Sequence, residues 1–143
     1  TSPGGSILMT ADIEKQSENQ LIERFKDDPT VLKSDVMVVP HHGSRTSSTD
    51  AFIDAVSPAI ALVPVGYRSR FRHPNSAVIE RYAARNIPLY RTDFLGAITL
   101  KFAPDANGKP TMSTYRQERK RYWIDQPQAA SGPEASTTAV TNE

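Results

Sequence analysis

The side chains that could bind a metal or transfer a proton in this sequence follow short apolar runs. They are Asp12, His41, His42, His73 and Asp93. We interpret the apolar runs as strands, and in an open α/β sheet ligands bind beyond the carboxyl ends of the strands. We therefore expect these five side chains to gather at one rim of a sheet. Imidazole and carboxylate groups placed together in this way suit zinc or manganese.

The same residues also have structural explanations. Asp12 precedes a helical pattern and could be the N-cap of that helix. Segment 41–44 could be a polar turn in which Gly43 supplies a positive φ angle. His73 and Asp93 could each be an ordinary loop residue. Their shared position after strands favours a common site over separate structural roles.

The loop after the third strand is a second candidate feature. It carries Arg68, Arg70 and Arg72, with Tyr67 and Phe71 interleaved. Arginines with interleaved aromatic rings suit a phosphate backbone and unpaired bases. A solvated surface loop is the equally weighted alternative. Stretch 116–123 has a similar composition, but we place it on an edge strand, where charges also prevent aggregation.

The hydrophobic periodicity predicts the order β-α-β-α-β-α-β followed by a hairpin, which indicates an α/β layered fold. The predicted strands are residues 7–9, 35–39, 59–65, 88–93, 97–102 and, after a turn at Asn107-Gly108, 111 to about 123. The first strand is expected to be buried on both faces.

Helix signals separate the predicted strands. The first helix covers residues 14–25, with Glu18 on its polar face. Ser47 and Asp50 resemble a capping box that opens the second helix. Asn75 or Ser76 caps the third.

Composition excludes several classes of function. The chain has 143 residues, no cysteine and a net charge of +1. Disulfides, cysteine-ligated zinc and thiol nucleophiles are therefore excluded, and the chain is not a globally basic nucleic-acid binder. P-loop, GxGxxG, GxSxG and HExxH motifs are absent. We divide the chain into a domain at residues 1–125 and a disordered tail at residues 126–143, which has few large apolar groups.

Four segments, taken in order, resemble one protein family. Residues 8–14 (LMTADIE) are similar to LTGDIE, and residues 35–44 (DVMVVPHHGS) to DVLKVPHHGS. Residues 66–74 resemble a G…HP loop, and residues 90–98 (YRTDFLGAI) match YRTDxxGAI. Residues 7–102 thus resemble the C-terminal half of the metallo-β-lactamase-like domain of the ComEC family of DNA-internalisation competence proteins.

The resemblance implies a partial metallo-β-lactamase-like αββα sandwich. The hallmark HxHxDH motif of that fold is absent and would lie upstream of Thr1. The family usually has glycine where this chain has Ala11. Half of such a domain would expose a sheet face or edge, which favours a homodimer.

The function implied by the resemblance is a metal-dependent phosphodiesterase or nuclease that acts on incoming DNA. The complete domain would hold two zinc or manganese ions. The implied metal ligands are Asp12, His41 and His73, and the implied catalytic residues are His41, His42 and Asp93. Ser44 is an implied substrate-binding residue, to which the arginine and aromatic pattern described above adds Arg68, Arg70 and Arg72. Which of His41 and His42 faces the metal stays open. This segment alone is expected to bind metal weakly or not at all and to be inactive.

The implied partners are DNA, either single-stranded or as the incoming duplex, and the membrane-channel portion of the same protein. The implied location is the extracytoplasmic side of a bacterial inner membrane, as a soluble domain. Two other functions remain open. The chain could be a non-catalytic DNA-binding or scaffold module, or part of a small-molecule metallo-hydrolase of the same fold.

Overall fold

The computed structural model describes residues 4–103 and 109–119. Four parallel strands form the main sheet in the order β1-β2-β3-β4. They are β1 (Ile7–Met9), β2 (Val36–Val38), β3 (Ile60–Val63) and β4 (Leu89–Arg91). The register aligns Leu8 with Met37, Met37 with Ala61 and Ala61 with Leu89. Parallel strands in chain order confirm the predicted α/β organisation.

Helices connect the strands and cover one face of the sheet. They are α1 (Lys15–Arg24), α2 (Asp50–Val56) and α3 (Ser76–Ala83). The core joins fully buried residues of α2 and α3 to the sheet positions Met37, Ala61 and Val63. Leu21 and Ile22 of α1 pack against this core, as the predicted apolar stripe requires.

The expectation that the first strand is buried on both faces is wrong. β1 lies at the edge of the sheet and pairs with β2. Ile7 is 43% exposed and Met9 is 80% exposed. An apolar run of three residues does not distinguish an edge strand from a central one, since both can be hydrophobic.

Two expectations about the helices also need correction. The N-cap of α2 is Thr49, whose hydroxyl accepts a bond from the Phe52 amide at 3.3 Å. Ser47 instead donates its hydroxyl to the Pro40 carbonyl at 2.8 Å. Glu18, expected on the polar face of α1, is fully buried. The N-cap of α3 is Asn75, one of the two predicted residues.

The predicted hairpin forms a separate two-stranded antiparallel sheet. It consists of β5 (Ile98–Lys101) and β6 (Thr111–Thr114). The return strand ends at Thr114 rather than near residue 123, because the chain enters a helical turn, α5 (Tyr115–Glu118). Another helical turn, α4 (Thr92–Leu95), follows β4. The Asn107-Gly108 turn and the tail at 126–143 lie outside the described residues.

The α/β class is thus established, with a four-stranded parallel sheet and a small antiparallel one. In residues 4–103 and 109–119, no helix has both the length and the apolar character needed to cross a membrane.

Candidate functional site

The backbone after β1 and β2 adopts left-handed conformations. Ala11, His41 and His42 have φ angles of 49°, 46° and 55°, and Gly43 has a φ angle of 82°. Each non-glycine residue in this region costs about 1–3 kcal/mol, and such residues cluster at functional sites. Neighbouring contacts compensate part of this cost, since the His41 amide donates to the Ala11 carbonyl at 3.0 Å. We call residues 40–49 the histidine loop.

His41 is held by a carboxylate that sequence analysis did not assign to the site. Its Nδ1 lies 2.9 Å from Oε1 of Glu14, the residue that precedes α1. A carboxylate accepts hydrogen bonds, so Nδ1 is the donor and the lone pair of the neutral ring is on Nε2. The Thr46 hydroxyl also donates to Oε1 of Glu14, at 2.8 Å. The Thr46 and His41 hydrogen bonds hold the pKa of the Glu14 carboxyl below its usual value.

His42 is oriented by the backbone. Its Nδ1 donates to the Pro64 carbonyl at 2.6 Å, because a carbonyl oxygen can only accept. The lone pair of neutral His42 therefore lies on Nε2. That atom is 3.7 Å from Oδ1 of Asp12. The N-cap of α1 is Glu14, so the helix-cap explanation for Asp12 is wrong, and its carboxylate lies beside His42 instead.

His73 completes a row of three imidazoles. Its ring centroid lies 6.1 Å from that of His41, which lies 6.4 Å from that of His42. His73 also stacks on Phe71, with ring centroids 6.1 Å apart and an interplanar angle of 14°. Burial lowers the pKa of His73, and the nearby His41 and His42 lower it further, so the neutral, lone-pair-bearing form is favoured.

The His73 loop packs tightly on the histidine loop at Gly43. A Cβ atom at Gly43 would lie 2.5 Å from Cβ of Pro74. The Asn75 amide donates to the Gly43 carbonyl at 2.9 Å. Gly43 therefore serves two purposes: it adopts the positive φ angle expected from the sequence, and it allows the two histidine-bearing loops to approach closely.

Asp93 has a different environment. Its carboxylate accepts two bonds from the Arg91 guanidinium, at 3.1 and 2.7 Å. The preceding Thr92 hydroxyl donates to the Val65 carbonyl and accepts from the Val65 amide, both at 2.8 Å. These bonds join the ends of β3 and β4. The structure thus gives Asp93 a bidentate ion pair beside the end of β4.

The predicted substrate-binding residues lie on both loops. The Ser44 hydroxyl lies 3.0 Å from that of Thr46. We call residues 66–74 the arginine loop; its Arg68, Arg70 and Arg72 are exposed. In the part of the chain that the structure describes, no three acidic or histidine side chains form a metal-binding group.

A buried network that the sequence did not reveal supports the histidine loop. The Glu18 carboxylate accepts bonds from the Ser48 and Thr49 amides at 2.6 and 2.8 Å. Arg81 donates to the Ser47 and Ser48 carbonyls, both at 3.0 Å. The Tyr82 hydroxyl donates to Ser48 Oγ at 3.2 Å, and burial raises the pKa of Tyr82 well above its usual value. In the sequence, Glu18 is recognisable only as a residue one helical turn after Glu14, and this spacing does not predict its burial.

The fold and site define an α/β chain with three histidines and an aspartate beyond the carboxyl ends of parallel strands. This chain is 35% identical over 124 residues to competence protein ComA of Neisseria gonorrhoeae, covering 87% of the chain and 17% of that protein. It is 32% identical over 112 residues to ComE operon protein 3 of Bacillus subtilis, covering 78% of the chain and 14% of that protein.

Recombination protein 2 of Haemophilus influenzae is 31% identical over 100 residues, which are 70% of the chain and 12% of that protein. The chain therefore spans less than a fifth of each of these longer proteins. No family model and no solved structure matches the chain. These similarities support a ComEC-like competence protein as the class to which the chain is related.

Proposed function

We propose that the chain is part of a metal-dependent phosphodiesterase domain that cleaves DNA during uptake by a competence protein. The observation that carries this proposal is the gathering of His41, His42, His73 and Asp12 beyond the strands of one parallel sheet. The similarity to proteins named for competence and recombination supports DNA as the substrate.

The donor atoms fit part of a metal site. Two ligands about 2.1 Å from a tetrahedral zinc ion lie about 3.4 Å from each other. Nε2 of His42 and Oδ1 of Asp12 are 3.7 Å apart. Because Nδ1 of His42 is engaged by the Pro64 carbonyl, Nε2 is available as a ligand. On this geometry we propose His42 and Asp12 as the first ligand pair.

His41 has the same tautomer for a different reason. A carboxylate bonded to Nδ1 is the arrangement that orients metal-binding histidines and raises their basicity. Glu14 supplies that carboxylate. His41 and His73 are then available to hold a second ion or to contact the phosphate. A bound metal would supply an activated water and charge neutralisation at the phosphate, while these side chains orient the phosphodiester.

One face of the sheet supports the sandwich architecture that the resemblance implies. Met9, Val38, Leu62 and Tyr90 align across the sheet and alternate with the positions that face the helices. Met9 is largely exposed, and the other three are partly buried. An apolar row on this face is suited to a second sheet, as in a metallo-β-lactamase-like sandwich.

The test is Asp12→Asn in the full-length gene product. We expect DNA hydrolysis and bound metal to be lost, because an amide does not neutralise a cation as a carboxylate does. Nuclease rate, metal content and circular dichroism are measured on the same samples. Asp27→Asn, at an exposed turn position, is the matched control and retains both properties.

A folded Asp12→Asn protein with full metal content and activity would refute the role of Asp12. Metal-independent DNA binding without hydrolysis would favour the non-catalytic module. Hydrolysis of small phosphodiesters but not of DNA would favour the small-molecule hydrolase. We further propose DNA and a membrane-channel portion of the same protein as partners, at the extracytoplasmic side of the inner membrane.

A further inference from the structure

Two basic segments that are distant in sequence meet at one tyrosine. The Arg68 guanidinium lies 5.2 Å from the centre of the Tyr67 ring, and the Arg116 guanidinium lies 5.4 Å from it. Arg116 belongs to α5 and donates to the Phe94 carbonyl at 3.3 Å. The residues Tyr67, Arg68, Phe71 and Arg116 form what we call the basic–aromatic surface.

This surface exposes its aromatic rings. Phe71 is 71% exposed and Tyr67 is 50% exposed. Exposing a large aromatic ring forgoes a favourable burial free energy, and aromatic and arginine side chains dominate binding surfaces. Arg70 and Arg72 on the same loop are also exposed and add positive charge.

The surface is continuous with the histidine row. Phe71 stacks on His73, and His73 lies 6.1 Å from His41. A group that stacks on the exposed face of Phe71 would therefore be separated from His73 by the Phe71 ring alone. A polymer with alternating planar and anionic groups could contact Phe71 with a planar group and the histidines with an adjacent anionic group.

We propose that the basic–aromatic surface binds single-stranded DNA, with Phe71 stacking on a base next to the phosphodiester at the histidines. Arginines neutralise phosphates, and exposed rings stack on unpaired bases. In a duplex the base faces are already stacked, so Phe71 would have no partner there. This inference rests on the proposed function, because it takes DNA as the substrate and adds the strand form.

The first experiment measures fluorescence anisotropy of a labelled oligo-thymidine strand, alone and in a duplex, against the intact chain. We expect the single strand to bind more tightly than the duplex. Phe71→Leu should weaken single-strand binding about tenfold, and Phe71→Trp should restore it, because stacking requires an aromatic ring. Val31→Ala, at another exposed apolar position (53% exposed), is the control and should leave binding unchanged.

The arginine contribution has its own matched control. Arg116→Gln should lower the slope of log affinity against log salt by about 0.7, the value for one phosphate contact on a single strand. Arg24 lies 5.5 Å over the ring of Phe25, so Arg24→Gln removes an equivalent cation elsewhere and should leave the slope unchanged. A separate measurement follows the fluorescence of the tryptophan that each substitution introduces. Oligo-thymidine should quench this fluorescence in Phe71→Trp but not in Val31→Trp.

Equal affinity for duplex and single strand, or unchanged binding by Phe71→Leu, would overturn the inference. These outcomes are separable from failure of the proposed function. If Asp12→Asn keeps full hydrolysis while Phe71→Leu loses single-strand binding, the metal assignment fails and the stacking surface stands. If Asp12→Asn abolishes hydrolysis while Phe71→Leu leaves single-strand binding unchanged, the metal assignment stands and the stacking surface fails.

Discussion

The histidine loop and the arginine loop follow neighbouring strands of one sheet, yet they are built in opposite ways. In the histidine loop, hydrogen bonds to distant residues hold the backbone, including those that the Ser48 and Thr49 amides donate to the Glu18 carboxylate at 2.6 and 2.8 Å. In the arginine loop, the backbone bonds Ser69 to Gly66 and Arg72 to Ser69 are local, at 3.1 and 3.3 Å, and its rings are exposed.

The difference indicates a division of labour. Positioning donor atoms for a metal or a reacting phosphate requires placement within about 0.5 Å, which buried hydrogen bonds to neighbouring elements provide. Contact with a flexible polymer tolerates variation and benefits from exposed rings and charges. If this interpretation is correct, substitutions in the histidine loop and its supports should affect stability strongly, and equivalent substitutions in the arginine loop should have little effect.

The largest effect is expected for Gly43→Ala. The new Cβ would meet Pro74 at 2.5 Å, and the φ angle of 82° would strain any residue with a side chain. We expect a loss of about 2–4 kcal/mol in the free energy of unfolding, measured by urea denaturation. A Cβ atom at Gly66, in the arginine loop, would have no atom within 4 Å. Gly66→Ala should therefore change the free energy of unfolding by less than about 0.5 kcal/mol. Equal losses for both variants would remove the contrast between the loops.

Glu18→Gln should have the next largest effect. The buried carboxylate accepts bonds from two backbone amides, and a glutamine offers one oxygen and a competing NH₂ donor. We expect a loss of about 2 kcal/mol in the same measurement. Glu23→Gln removes an exposed ion pair with Lys26 and should cost less than about 0.5 kcal/mol. A neutral Glu18→Gln substitution would show that the network does not hold the loop.

Ala11→Gly should be neutral or stabilise the chain by up to about 1 kcal/mol. The φ angle of Ala11 is 49°, a conformation that favours glycine. This preference is a physical reason for the glycine that the family usually has at this position. Ala51→Gly, inside α2 and exposed, should instead cost about 0.5–1 kcal/mol. Thermal and urea unfolding of both variants compare the two sites. A loss of unfolding free energy in Ala11→Gly as large as that in Ala51→Gly would show that the backbone at Ala11, next to Asp12, is not strained.

The smallest effect concerns pH and Glu14. Because its folded-state pKa is lowered, its stabilising contribution is present above the unfolded pKa of 4.5 and is lost as pH falls through the folded value. Glu14→Gln should therefore be less stable than the wild type near neutral pH, with the difference shrinking in acid. Unfolding free energies across the range from about pH 6 to about pH 3 test this. A difference that stays constant with pH would show that the ionised carboxylate does not hold His41 and Thr46.

The sequence by itself determined the order of the four parallel strands and of the three helices between them, and the end of the sheet at which the histidines lie. These depend on local periodicity, on turn residues such as Gly43, and on the rule that loops after parallel strands share one edge. For the same reason the sequence narrowed the cap of α3 to Asn75 or Ser76, and Asn75 is the cap, with a hydrogen bond that spans two residues.

Only the tertiary structure decided which atoms meet. His42 takes its orientation from Pro64, 22 residues away, and Glu18 is buried by a loop 30 residues away. Arg116 reaches Tyr67 only because the hairpin returns the chain to the arginine loop. Such contacts depend on the relative placement of whole elements, and side-chain periodicity within one element carries no information about its neighbours. The exposure of Met9 was not predictable for the same reason, because the order of strands in the sheet decides which apolar strand lies at the edge.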